Sequence, residues 1–255
     1  MNMSSDPQEM RTARPLRHTA GRLAALPRGL AEIACLGALF LLVLPVAQAG
    51  LFPESLVAAR AGALCGLAVL LGIVAALFAR HAPRAGFGPA NAVTLARAAL
   101  VALMATALFG PPPPPGWTLV AVAVGCLSLD GIDGWLARRT AMASAFGARF
   151  DMETDAALAL VLAALAADRL GGWVLALGLA RYAFVAATWA WPWLARPLPD
   201  RLSRKAVCVL QIGALIALQS PSVPTGAAVA LAALTATALA WSFGRDVLWL
   251  RAARD

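Results

Sequence analysis

The segment SLDGIDGWLARRTAMASAFGARFDMETDA, residues 128–156, carries four aspartates in an otherwise apolar chain. Asp130 precedes Asp133 by three residues, so the two carboxylates lie on one face of a helix. Asp151 precedes Asp155 by four residues, which gives a second acidic face. A carboxylate in or near hydrocarbon is energetically costly. Four such groups brought together would need metal ions, protons or cationic partners.

The composition of the chain indicates the membrane as its solvent. Hydrophobic residues make up 61% of the 255 residues and charged residues only 13%, which is too apolar for a soluble domain. We therefore expect an all-α integral membrane protein. A spanning helix needs about 20 apolar residues. Stretches of this length predict about eight transmembrane helices, near 30–50, 57–79, 91–110, 117–138, 148–168, 172–194, 205–221 and 225–248.

The arginine and lysine residues orient these helices. They cluster before the first span and beside alternate span ends, whereas only Arg60 and Arg169 fall near the opposite ends. Because cytoplasmic loops of membrane proteins are enriched in basic residues, we expect both termini and the aspartates to face the cytoplasm, in a multi-pass protein of a bacterial inner membrane. The net charge of +8 then reflects topology and contact with anionic membrane lipids, with no nucleic acid as partner.

The pattern D-x2-D-G-x2-A-R-x8-G-x3-D-x3-D fixes two glycines, an alanine and an arginine between the aspartates. At every defined position it resembles the signature of the CDP-alcohol phosphotransferases, membrane enzymes that join phospholipid head groups. A second segment, GPANAVTLARAAL at 88–100, resembles the nucleotide-side motif of that family. The resemblance covers about 89–211 and implies a six-helix core, to which an extra N-terminal two-helix hairpin is added. We accordingly divide the chain into a cytoplasmic tail at 1–28, a hairpin and linker at 29–88 and a core at 89–255.

The family resemblance also implies roles for individual residues. Metal ligation falls to Asp130, Asp133, Asp151 and Asp155, with two Mg²⁺ or Mn²⁺ ions, since hard cations prefer oxygen ligands. Asp155 is in addition the implied catalytic general base. The implied CDP-binding residues are Asn91, Thr94, Arg97, Asp130, Asp133, Gly134, Ala137, Arg138 and Gly147. For Arg138, an anchor at the helix end is an equally open interpretation.

The substrates are less constrained by the pattern. The resemblance implies transfer of a phosphatidyl group from a lipid donor, CDP-diacylglycerol or a similar CDP-alcohol, to a small polar alcohol, with release of CMP, in a homodimer. We expect Arg181, Arg204 and Lys205 to bind the acceptor. Their charge favours a phosphorylated polyol such as glycerol 3-phosphate or inositol phosphate; serine, choline or a second lipid stay open as acceptors.

Three expectations concern residues outside the signature. Glu153 lies between two aspartates, so it faces away from them and is expected to pair with Arg149 or Arg138. Glu32 falls at the end of a predicted span and is interpreted as interfacial. The sequence Ala47-Gln48-Ala49 resembles a signal-peptidase site, so we keep cleavage as an alternative to an uncleaved first helix.

Other functions fit part of the sequence. A divalent-cation transporter also needs intramembrane carboxylates, but it does not explain the spacing of Gly134, Ala137 and Gly147. A catalytically silent protein that keeps the motif is a third interpretation. An enzyme should release CMP from a CDP-lipid, whereas a transporter should move metal across vesicles without a nucleotide.

Overall fold

A computed structural model describes residues 27–81, 86–109, 116–139, 144–199 and 201–253, apart from the side chains of Ala137 and Arg138. These residues contain helices and no strand, which confirms the all-α prediction. The predicted tail at 1–28 and the proline-rich connection at 110–116 lie almost wholly outside them. The α helices of the described ranges are α1 (Arg28–Leu51), α2 (Val57–His81), α3 (Pro89–Ala105), α4 (Trp117–Arg139), α5 (Ala145–Leu170), α6 (Leu175–Ala190), α7 (Leu202–Leu218) and α8 (Thr225–Ala252).

Six of these helices are long and apolar enough to cross a membrane, which makes the chain an integral multi-pass membrane protein. They are α1, α2, α3, α4, α6 and α8. Helices α5 and α7 do not meet this criterion of length and apolar composition. Helix α5 has 26 residues, but charged side chains occupy its first half. Helix α7 is apolar, but it has only 17 residues.

Neighbouring helices run in opposite directions, so their ends meet in pairs. Arg97, early in α3, contacts Asp133 near the end of α4 and Asp155 early in α5. At the same end of the bundle, Arg204 at the start of α7 contacts Asp246 near the end of α8. We call this the site end of the bundle. Helix α8 therefore finishes at the site end.

Helix α5 forms the centre of the apolar core. Leu158 and Leu162, one turn apart on the same face of this helix, have no exposed surface, and neither has Ala163. The same core cluster takes buried residues from every other helix from α3 to α8, including Met104, Cys126, Leu177, Leu215 and Ala232. Asp151 and Asp155 are thus fixed to the helix at the centre of this core.

The N-terminal hairpin, α1 and α2, packs along α3. Gln48 of α1 is fully buried, and its Nε2 donates hydrogen bonds to Thr106 Oγ1 at 2.9 Å and to the Arg60 carbonyl at 3.3 Å. At the other end of α3, Phe78 of α2 packs edge-on against Phe87 with ring centroids 5.7 Å apart. Polar and aromatic contacts therefore fasten the hairpin at both ends of α3.

The close approach of α5 and α6 depends on Gly178. A Cβ atom at this position would lie 2.5 Å from the Leu160 Cα and 3.0 Å from the Ala159 carbonyl oxygen. Gly178→Ala should therefore push the two helices apart and destabilise the fold by about 1–3 kcal/mol. The thermal unfolding midpoint in detergent measures this loss. Gly213→Ala on α7 is the control because its Cβ meets nothing within 4 Å; equal midpoints for the two variants would contradict the prediction.

Candidate active site

The four aspartates come together where α4 ends and α5 begins. Ser144 starts α5: its Oγ accepts a hydrogen bond from the Gly147 N–H at 3.0 Å, as expected of a helix N-cap. This start places Asp151 and Asp155 one turn apart on the face of α5 that meets α3. The residues between the helices, 140–143, lie outside the described ranges.

Arg97 of α3 joins all four aspartates. Its side chain has no exposed surface. One terminal nitrogen, Nη1, donates to Asp133 Oδ2 at 2.9 Å and also to Asp151. The other, Nη2, lies 3.0 Å from Asp130 Oδ1 and donates to Asp155. A planar guanidinium with donors on both terminal nitrogens is suited to this bridging geometry.

Two further polar residues of α3 lie at the site. Thr94, one turn before Arg97, donates from its Oγ1 to Asp133 Oδ2 at 3.0 Å. Asn91 donates from Nδ2 to the Phe87 carbonyl at 2.6 Å. Its Oδ1 lies only 2.7 Å from where a Cβ of Gly147 would be. Asn91, Thr94 and Arg97, which the resemblance assigned to CDP binding, therefore lie on the side of α3 that meets α4 and α5.

The donor chemistry of the cluster fits a hard divalent cation. Asp130, Asp151 and Asp155 each offer one carboxylate oxygen, and the three oxygens lie within 4.8 Å of one another. Asp133 is not in this group of three; its Oδ2 accepts hydrogen bonds from Thr94 and Arg97. When all four carboxylates are ionised, one guanidinium leaves three negative charges unbalanced. Oxygen-only donors with such an excess favour Mg²⁺ or Mn²⁺.

The remaining residues of the signature lie on α4. Gly134 follows Asp133 directly and is half-buried. Ala137 and Arg138 belong to the last turn of α4, but their side chains are not among the described ones.

A cavity of about 430 Å³ opens beside Asp155, between α5, α6, α7 and α8. Most of its lining is apolar and includes Phe184, Ile212 and Phe243. Its polar wall contains Arg181 and Arg204, two of the three residues expected to bind an acceptor. Lys205 is not among the lining residues. The polar groups beyond the arginines are Asp155, Gln211, Ser242 and Asp246.

Each of the two arginines has a carboxylate partner. Arg181 Nη2 lies 2.5 Å from Glu153 Oε1, so Glu153 pairs across to α6; the expected partners were Arg149 and Arg138. The reason is that the face of α5 opposite the aspartates meets α6. Arg204 donates from Nε to Asp246 Oδ2 at 2.8 Å and from Nη2 to Oδ1 at 3.3 Å.

Asp246 was missed by sequence reasoning, although it is 4% exposed and lies in the apolar helix α8. A single acidic residue within an apolar span is the signal that would have found it. Glu32, which was interpreted only as interfacial, also has specific partners: its Oε2 accepts hydrogen bonds from the backbone N–H groups of Phe87 and Gly88, at the entrance to α3. No local pattern relates these residues, since Glu32 precedes Phe87 by 55 positions.

Comparison with known proteins bears on the same region. A protein-family model described as CDP-alcohol phosphatidyltransferase matches residues 87–243. The match begins at the entrance to α3 and ends within α8, so it contains the four aspartates and every lining residue of the cavity except Asp246, and it leaves out the hairpin. Searches of curated proteins and of solved structures gave no match. With more than half of the chain matched and the signature aspartates gathered around Arg97, the chain belongs to the CDP-alcohol phosphatidyltransferase family of membrane transferases.

Proposed function

We propose that this protein transfers a phosphatidyl group from CDP-diacylglycerol, or from a similar CDP-alcohol, to an acceptor hydroxyl and releases CMP in phospholipid synthesis. The family supplies the reaction class, a CDP-alcohol donor and an alcohol acceptor. One observation carries the proposal for this chain. Asp155 belongs to the four-aspartate cluster and also lines the adjacent cavity, so donor and acceptor sites would meet at its carboxylate.

The aspartates would hold the divalent ions on which the family depends. We assign the ligands to Asp130, Asp151 and Asp155, with Asp133 at the edge of the group. Two bound Mg²⁺ or Mn²⁺ ions would neutralise the diphosphate and polarise it toward attack. Arg97 keeps the carboxylates from repelling one another and fixes their relative positions, because it bridges residues of α4 and α5.

The donor nucleotide would lie against the facing ends of α3, α4 and α5. Asn91 and Gly147 meet closely there, and Gly134 leaves room on α4 because it has no side chain. Thr94 acts indirectly, by holding Asp133. Arg138 and Ala137 complete this proposed nucleotide site.

Asp155 is the proposed general base. An acceptor hydroxyl entering the cavity would give its proton to the Asp155 carboxylate. The resulting oxygen forms a bond to the β-phosphorus of the donor, while the bond from that phosphorus to the bridging oxygen breaks and CMP leaves. The apolar walls of the cavity keep bulk water from competing as the acceptor.

The acceptor is proposed to be a phosphorylated polyol, such as glycerol 3-phosphate or inositol phosphate. Arg181 and Arg204 lie in the cavity wall, where they would bind its phosphate. Each arginine contacts its carboxylate partner through Nε and Nη2, so its Nη1 would be the donor to the phosphate. Lys205, which is outside the lining, has a weaker claim to this role.

The proposed orientation places the site end of the bundle toward the cytoplasm of a bacterial cell. Arg80, Arg139, Arg196 and Arg251 all lie near helix ends on this side, in agreement with the positive-inside rule. We also propose a homodimer, as the family resemblance implies. The proposed orientation is tested by labelling single cysteines, introduced at the site end of the bundle, from either side of sealed vesicles.

Release of CMP by the full-length protein in detergent tests the function. The assay contains Mg²⁺, CDP-diacylglycerol and one acceptor at a time: glycerol 3-phosphate, inositol phosphate, serine, choline or a diacylglycerol. Release that needs one acceptor supports the proposal and identifies the substrate. Metal uptake into proteoliposomes without nucleotide, together with no CMP release, would favour the transporter.

The contact between Gly147 and Asn91 gives a specific prediction. Gly147→Ala would place a Cβ 2.7 Å from Asn91 Oδ1, so the flexible amide must move. This movement should break the hydrogen bond that we propose between Asn91 and the donor, which is worth about 0.5–1.5 kcal/mol. We therefore expect the KM for CDP-diacylglycerol to rise about fivefold with little change in thermal midpoint. Gly125→Ala on α4, with nothing within 4 Å of its Cβ, is the control. An unchanged KM would remove Asn91 from the donor site.

A further inference from the structure

We infer that Glu32, on the N-terminal hairpin and outside the family-matched region, is a positioning residue for the active site. Its carboxylate holds the backbone that leads into α3, the helix that carries Asn91, Thr94 and Arg97. The inference rests on the proposed function. On this inference the N-terminal hairpin helps to position the active site, and Glu32 has a role that the signature of the family does not contain.

The contact is a two-point hydrogen bond to backbone. Glu32 Oε2 accepts from the Phe87 N–H at 2.8 Å and from the Gly88 N–H at 3.3 Å. Its other oxygen, Oε1, faces Arg28 Nε at 3.2 Å. The carboxylate also lies near the positive end of the α3 dipole, where negative charge is favourable.

The backbone at this point needs an external partner. Gly88 precedes the first helical residue, Pro89, and has no side chain with which to cap α3. Its φ of 83° lies in the left-handed region, which glycine adopts without steric cost. Because glycine is equally free to adopt other angles, the direction in which α3 leaves residue 88 is set by contacts, and Glu32 supplies two of them.

Phe87 carries the effect to the catalytic helices. Its side chain is 1% exposed and packs against Phe78 of α2 and against Phe146 and Phe150 of α5, with ring centroids 5.7, 6.5 and 6.4 Å away. Its carbonyl accepts the hydrogen bond from Asn91 Nδ2 at 2.6 Å. The anchored residue therefore contacts the hairpin, the proposed donor site and the first turns of α5.

A small movement of α3 would matter because Arg97 must meet carboxylates on two other helices. Such bridging tolerates little displacement, and misplacement of about 1 Å can cost a hundredfold in rate. At the far end of α3, Gln48 fastens the same hairpin to Thr106. The two fastenings are about 25 Å apart along the helix. Gln48 thus supports the docking of the hairpin without touching the site.

The experiment compares Glu32→Ala and Glu32→Gln with two controls in the full-length protein. Gln48→Ala breaks the remote fastening, and Glu54→Ala removes an exposed carboxylate at the remote end of the hairpin. CMP release gives kcat and KM, and amide hydrogen exchange measures protection of residues 86–94. We expect Glu32→Ala to raise the KM for the donor about tenfold and to speed exchange at the start of α3. The Glu32→Gln variant keeps an acceptor oxygen and should recover most of both values.

The controls separate positioning from general support. Gln48→Ala should lower the thermal midpoint while KM and exchange at 86–94 stay near wild type, and Glu54→Ala should change none of these. Equal effects of Glu32→Ala and Gln48→Ala on KM, or unchanged exchange in Glu32→Ala, would overturn the inference. If the wild-type protein releases no CMP, the proposed function fails, while hydrogen exchange still decides whether Glu32 holds α3.

Discussion

Replacement of Asp155 by asparagine should abolish turnover and leave the fold intact. The amide has nearly the same shape as the carboxylate, but it cannot accept the proton of an acceptor hydroxyl. Loss of a general base costs about 10²–10⁴-fold in rate, so kcat for CMP release should fall at least a hundredfold. Asp155 is the residue for which we expect this, because it touches Arg97 and also lines the cavity.

Asp168→Asn is the matched control for this variant. Asp168 lies on the same helix at the opposite end, and it is exposed. The Asp168→Asn variant should therefore keep wild-type activity. Mg²⁺ and Mn²⁺ should still raise the thermal midpoint of Asp155→Asn, since Asp130 and Asp151 stay in place. A kcat within tenfold of wild type would remove Asp155 from the role of general base.

Loss of Arg97 should have the largest effect on stability. Arg97→Met leaves four carboxylates without the cation that they share. Of these four, the pair with Asp133 is buried, and removing one partner of a buried ion pair costs about 3–5 kcal/mol because the remaining charge is uncompensated. We expect a much lower thermal midpoint without divalent ions and no CMP release. Mg²⁺ or Mn²⁺ should raise the midpoint more than in the wild type, because the ions then supply the missing positive charge.

Two variants sharpen this test. Arg97→Lys keeps the charge, but one ammonium cannot reproduce the two-nitrogen bridge, so its midpoint should fall between those of wild type and Arg97→Met. Arg139→Met removes an exposed arginine that lies 5.0 Å over the Trp135 ring at the end of α4, and it should change the midpoint little. If Arg97→Met has the thermal midpoint of the wild type, and Mg²⁺ raises that midpoint no more than in the wild type, then Arg97 does not balance the negative charge of the four aspartates.

The hydrophobic pattern predicted the helices well. The predicted second span, 57–79, corresponds to α2 at Val57–His81, and the predicted fourth, 117–138, to α4 at Trp117–Arg139. Long apolar stretches are determined by the thickness of the membrane, so length and composition suffice to find them. The predicted fifth span, 148–168, corresponds to α5 at Ala145–Leu170, although charged residues interrupt its apolar pattern.

The gathering of Asp130, Asp133, Asp151 and Asp155 was also predictable in outline. Helical spacing puts each pair on one face, and the short connection between α4 and α5 makes those faces neighbours. The sequence did not indicate that Arg97 lies among all four. An arginine two turns inside a span needs a partner, but the choice among the acidic residues depends on how α3 packs.

The sequence alone determined the membrane as solvent, the approximate helix bounds and the acidic signature, because these depend on local composition and on helical period. Tertiary structure alone decided the partners of Glu32, Glu153 and Asp246, which lie 55, 28 and 42 residues away along the chain. Helical period tells which side chains share a face but not which helix that face meets. That choice follows from packing, such as the close contact of α5 and α6 at Gly178.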